Sequence, residues 1–229
     1  SDEKNMWLRA AHPNRARYRE VMTQAREAVM HESWPTASER LRQATALEPD
    51  LPDAHFLLAY SERQRQKWQE CAREFQRVTQ LDADFNPQAA FGDARELELF
   101  AGLGAGACLA FGGFVDESVA HYRQTLARRP VVGQERVELR WFLGDSLHAL
   151  GRLDEAIREY QRGLEQVRLE RLPAHLMLNF ALAVALDRDG QTAKAWDALE
   201  IALASDASEG LTSSVFAQHV LFLPSADVD

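Results

Sequence analysis

The stretch GRLDEAIREYQRGL, residues 151–164, decides the fold. A turn glycine opens it, the small Ala156 follows five places later, and the large Tyr160 four places after that. A similar string, GFVDESVAHYRQTL, runs from 113 to 126. Aligned on the glycine, the equivalent turn positions are Glu32, Gln66, Gly113, Gly151 and Gly190, at steps of 34, 47, 38 and 39 residues. The small position then holds Ala37, Cys71, Ser118, Ala156 and Ala195, and the large one Leu41, Phe75, Tyr122, Tyr160 and Leu199. Seven places before each turn stands a second small residue: Ala25, Ala59, Gly106, Gly144 and Ala183. Small side chains let two helices approach closely, and a large one fills the groove beside them. A period of this length built from paired helices is the signature of a repeat protein.

Working outward, apolar residues recur at three and four places along nearly the whole chain, and no strand-like alternation is convincing. Proline and glycine punctuate the helices. ALEPDLPDAH (46–55) ends one helix and starts another, with Asp50 as a cap candidate and Pro52 near the first turn. LDADFNPQAA (81–90), LARRPVVGQE (126–135) and LDRDGQTAKA (186–195) are further breaks. Connections this short make successive helices antiparallel.

At this point the chain resembles the tetratricopeptide repeat family. The resemblance is carried by WFLGDSLHALGRLDEAIREYQRGL (141–164), where the family motif falls on Leu143, Gly144, Leu147, Gly151, Ala156 and Tyr160. The closing proline falls on Pro49 and Pro130 and is absent after the other units; Glu32 in place of glycine and the glycine-rich FAGLGAGACLAFGG also depart from the pattern. The resemblance implies an all-α fold: a tetratricopeptide-like α-α superhelical solenoid forming a single domain over 1–229. Its repeats are expected at 18–51, 52–85, 99–130, 137–168 and 176–207. The segment LTSSVFAQHVLFLP (211–224) reads as an amphipathic capping helix, placed at 211–222, over the last hairpin.

The resemblance also implies that first helices line a concave groove for a protein or peptide partner. Carried over by register, the candidate groove residues are Met22, Arg26, Phe56, Tyr60, Leu103, Trp141, Asp145 and Phe180. His148, Val184 and Arg188 fall on further groove positions. Members of the family that clamp chaperone tails carry groove lysines, which are absent from these positions. Aromatic anchors point instead to an apolar peptide or helix. The alternatives are a self-associating structural module and a small-ligand regulatory domain.

Composition narrows the classes. Thirty-five acidic against 26 basic residues give a net charge of −9, which disfavours nucleic acid and anionic membrane as partners. No apolar run reaches the roughly 18–20 residues of a membrane span. The seven histidines show no ligand spacing and no HExxH is present, so no enzyme, metal or cofactor is expected. The glycine-rich run lacks the lysine and strand context of a phosphate loop, and close helix packing is its expected role. Cys71 and Cys108 lie within helical patterns, where buried thiols are expected; a disulfide between them is possible but not indicated. The arginines of ERQRQKW (62–68) and ARRP (127–130) read as solvated helix ends. Location stays open, with the cytoplasm slightly favoured over export.

Overall fold

The computed structural model describes residues 13–81, 94–128, 133–172 and 176–209. Among them are ten helices and no strand: α1 (Arg15–Met30), α2 (Trp34–Leu47), α3 (Pro52–Gln64), α4 (Trp68–Gln80), α5 (Ala94–Phe111), α6 (Val115–Arg128), α7 (Gly133–Ala149), α8 (Leu153–Glu170), α9 (Leu176–Arg188) and α10 (Thr192–Glu209). The fold is all-α. The chain divides into two compact units, Ser1–Cys108 and Leu109–Asp229.

Five turns repeat one geometry. Glu32, Gln66, Gly113, Gly151 and Gly190, equated from sequence alone, all have positive φ. In each, the turn residue's N–H donates to the carbonyl three residues back, and the next N–H reaches five back. Gly151 to His148 at 2.9 Å and Arg152 to Leu147 at 2.9 Å are one such pair; Glu32 to Val29 at 3.0 Å and Ser33 to Ala28 at 2.8 Å are another. This is the Schellman closure, which satisfies carbonyls left over at a helix end. The small residue five places on then donates the first bond of the next helix, as Ala156 does to Arg152 at 3.0 Å and Ala37 to Ser33 at 2.9 Å. Glu32 and Gln66 adopt the left-handed conformation despite their Cβ atoms, a cost of about 1–2 kcal/mol that the five-fold hydrogen-bond pattern sustains. Replacing either with glycine is expected to stabilise the fold by about 0.5–1 kcal/mol, after subtracting glycine's own chain entropy. The midpoint of urea unfolding measures this, and a fall in that midpoint contradicts it.

In the first unit, α1 packs on α2, α2 on α3 and α3 on α4. Ala25, Ala37, Leu41, Ala44 and Leu57 belong to one buried cluster, so the small columns face inward. Pro52 opens α3 as expected, but Asp50 does not cap it: Leu51 is the N-cap and no side chain caps there. Asp50 instead pairs with Arg77 of α4 at 3.1 Å. Beside it, His55 Nε2 lies 3.0 Å from the Pro49 carbonyl and Nδ1 lies 2.7 Å from Glu74. These contacts tie the turn before α3 to α4.

The expectation of two separate thiols is corrected: Cys71 of α4 and Cys108 of α5 form a disulfide, with Cα atoms 6.0 Å apart. Sequence spacing could not show it, because the two positions belong to different hairpins. The glycine-rich run forms α5 rather than a loop. A Cβ at Gly104 would stand 2.7 Å from Phe75 Cε2, so the missing side chain admits the Phe75 ring, as the close-packing reading expected.

In the second unit, α6 packs on α7, α7 on α8, α8 on α9, α9 on α10, and α7 also meets α9. Gly144 and Ala156 are buried at the α7–α8 contact, and the Tyr160 ring is fully buried against Gly144. Residues 133–135, the end of the expected break LARRPVVGQE, already belong to α7. Segment 211–222 and the N-terminal Trp7 and Leu8 lie outside the described residues.

Candidate functional site

In the first unit α1 carries Met22 and Arg26, α3 carries Phe56 and Tyr60, and α5 carries Leu103. Met22 and Leu103 are only 3% and 8% exposed, so both serve packing and offer little surface to a partner. Arg26 is exposed and Phe56 half-buried. Tyr60 is 37% exposed and meets Trp34 edge-on, with ring centroids 5.8 Å apart. Phe56 meets Phe75 in the same manner at 5.5 Å. Each ring is thus braced by another ring, which holds its orientation without consuming its whole surface. Near the start of these helices, burial pushes the Tyr18 hydroxyl well above its ordinary range, and the neighbouring Asp53 carboxylate adds to the shift.

In the second unit α7 carries Trp141, Asp145 and His148, while α9 carries Phe180, Val184 and Arg188. The α7–α9 contact brings the two sets alongside each other. Trp141 is only 9% exposed, so this expected aromatic anchor is mainly a packing residue. Phe180 and Asp145 are half-buried. The polar groups form two pairs. Tyr160 donates its hydroxyl to Asp145 Oδ1 at 2.7 Å, and Arg188 Nη1 donates to His148 Nε2 at 3.0 Å. Because a guanidinium can only donate, this nitrogen of His148 accepts, which requires it to carry no proton. Burial, followed by the Arg188 charge, lowers the His148 pKa, and Asp145 opposes the shift. Burial and then Asp145 raise the Tyr160 pKa well above its usual value. His148 is itself only 3% exposed, so what this face presents is the exposed Arg188 with the half-buried Asp145 and Phe180.

Two further polar pairs were not legible as a set. The buried Ser38 and Ser61 hydroxyls lie 2.8 Å apart; Ser61 donates to the Trp34 carbonyl at 3.0 Å and so accepts from Ser38. Ser118 and Ser146 repeat the arrangement at 2.9 Å, with Ser146 on the Phe142 carbonyl. Each pair links the second helix of one hairpin to the first helix of the next. The signal was serine in an inward-facing column, which the sequence reading noted only as a small residue at 118. Among the described residues no group of three or more His, Cys, Asp or Glu side chains could hold a metal ion, and no helix is long and apolar enough to cross a membrane.

Comparison with known proteins follows the same geometry. A family model described as Tetratricopeptide repeat matches residues 22–90 and 109–168, together more than half of the chain. None of the curated protein sequences matches it. Among solved structures it is similar to MamA 41-end from Desulfovibrio magneticus RS-1, at 14% identity and a TM-score of 0.62, covering 84% of this chain and 96% of that one. A second MamA structure gives 13% identity, a TM-score of 0.63, and coverage of 85% and 96%. YrrB, described as a tetratricopeptide repeat protein with an unusual peptide-binding site, gives 15% identity, a TM-score of 0.54, and coverage of 86% and 88%. At identities this low the likeness establishes the fold alone.

Proposed function

Because the chain belongs to the tetratricopeptide repeat family, we propose that it is a non-catalytic binding module that receives a peptide or helix of a protein partner on its first-helix faces. The carrying observation is that Tyr60 in the first unit and Phe180 in the second, each on the first helix of its hairpin, stay part-exposed while the residues on either side of them in sequence are buried. Arg26 in the first unit and Asp145 in the second supply charged rims of opposite sign. The peptide-binding site for which YrrB is described supports the same use of the fold. The anchor set is therefore narrower than the eight residues expected from register, with Met22, Leu103 and Trp141 reassigned to packing.

The test is affinity selection of a displayed peptide library on the purified chain. Tyr60→Ala is expected to weaken a peptide selected on the first unit by about tenfold, the value of one well-placed aromatic anchor, and Phe180→Ala a peptide selected on the second by the same factor, with helicity by circular dichroism unchanged. Binding that survives both substitutions undiminished defeats this reading. A second reading, self-association, is favoured by α10, where Trp196 is 61% exposed and shares a stripe with the exposed Leu203. Sedimentation separates the two: a mass rising with concentration, abolished by Trp196→Glu, marks self-association.

A further inference from the structure

A second site stands apart from the first-helix faces. Between α6, α7 and α8 lies a cavity of about 370 Å³, lined by Arg123, Arg140, Arg158 and Arg162 with Glu155 and Glu159. None of these residues occupies a groove position. The chain carries a net charge of −9, yet this lining has four guanidinium groups against two carboxylates.

Both carboxylates are already engaged. Glu155 accepts from Arg123 at 2.7 Å and from Arg152 at 2.8 Å. The hydrogen bond from Arg152, with that from Arg123, holds its carboxyl below the usual glutamate range. Glu159 accepts from Arg140 and from Arg162, each at 2.6 Å. The glutamates therefore act as braces that spread three of the lining arginines around the opening. Arg158 sits on the same face of α8, three residues after Glu155 and four before Arg162, and among the described residues it has no ion pair or hydrogen bond. Its five N–H donors are open to a ligand.

Guanidinium groups clustered with spare donors recognise phosphate oxygens through paired, charge-assisted hydrogen bonds. The volume falls at the small end of ligand pockets, which span about 300–1,000 Å³. The half-buried Leu126 in the lining adds apolar surface for a carbon skeleton. We propose that this cavity is a binding site for a small organic phosphate, with Arg158 as the residue that engages the phosphate directly and Glu155 and Glu159 as positioning residues for the other arginines. The second unit would then bind a small anion independently of any peptide on its α7–α9 face.

The experiment is isothermal titration of the full chain with glycerol 3-phosphate and with glucose 6-phosphate, against sodium chloride of matched ionic strength. Saturable binding at one site per chain is expected for both phosphates and for neither the chloride nor glucose itself. Arg158→Gln should weaken it about tenfold, the value of charge-assisted bonds from one arginine, and Arg158→Lys should restore part of the loss. Arg158 is exposed and unpaired, so neither variant is expected to alter the melting temperature without ligand. Tyr60→Ala, which tests the peptide reading, should leave phosphate binding unchanged. Absence of saturable binding, or equal affinity in Arg158→Gln, overturns the proposal.

Discussion

Tyr160→Ala is expected to destabilise the second unit by about 3–5 kcal/mol, the range for deleting a large aromatic from a core. The ring is completely buried, and its hydroxyl holds Asp145 at 2.7 Å. Truncation leaves both a cavity and a half-buried carboxylate without that donor. The opposing residue sharpens the test. A Cβ on Gly144 would stand 2.6 Å from Tyr160 Cδ1, closer than packed atoms come. Gly144→Ala alone should therefore cost about 1–3 kcal/mol through overpacking. In the Tyr160→Ala background the same change should reverse sign, because the space is now free and alanine is about 1 kcal/mol better than glycine inside a helix. Thermal or urea unfolding of the two single variants and the double variant measures the coupling. Additive effects would mean that Gly144 is not there to admit the ring.

Loss of the Cys71–Cys108 bridge is expected to cost the first unit about 2–4 kcal/mol. The crosslink closes a segment of 37 residues, and its main action is to restrict the unfolded chain. Cys71→Ala, Cys108→Ala and the double variant should all lower stability by nearly the same amount, since each removes one and the same bond. Alanine is the proper replacement because both sulfurs are fully buried, and a hydroxyl there would lack partners. The parent unfolded without reductant should show no thiol to a colorimetric reagent, and two after reduction. Two reactive thiols before reduction would contradict the bridge. Such a crosslink persists in oxidising surroundings and is rare where glutathione keeps thiols reduced.

The turn column shows why so much of the fold was legible. Any residue seven before a turn, five after it, or nine after it meets its hairpin partner through local chain geometry. A one-dimensional period is therefore enough to identify Ala25, Gly144, Ala156 and Tyr160 as contact residues. Even Glu32 and Gln66, which break the glycine rule, were placed by register, and both prove left-handed. Register likewise put Tyr60, Phe180 and Asp145 on first helices. It could not say how much of each side chain stays open, because exposure depends on neighbours supplied by other hairpins. For that reason Trp141, the largest candidate, turned out to be mainly core.

Charge was the least legible property. The arginines of ERQRQKW read as solvated ends, yet Arg65, together with Arg42 of another hairpin, serves the buried Glu62. The arginines around the α6–α8 cavity are scattered from 123 to 162 and form no run. Sequence alone determined the helices, their turns and the small-to-large nesting within each hairpin, since these rest on contacts between residues close along the chain. The tertiary structure alone decided the disulfide, the serine pairs, the exposure of each aromatic and the clustering of arginines. Those depend on distances between residues far apart in sequence, which only the packed chain defines.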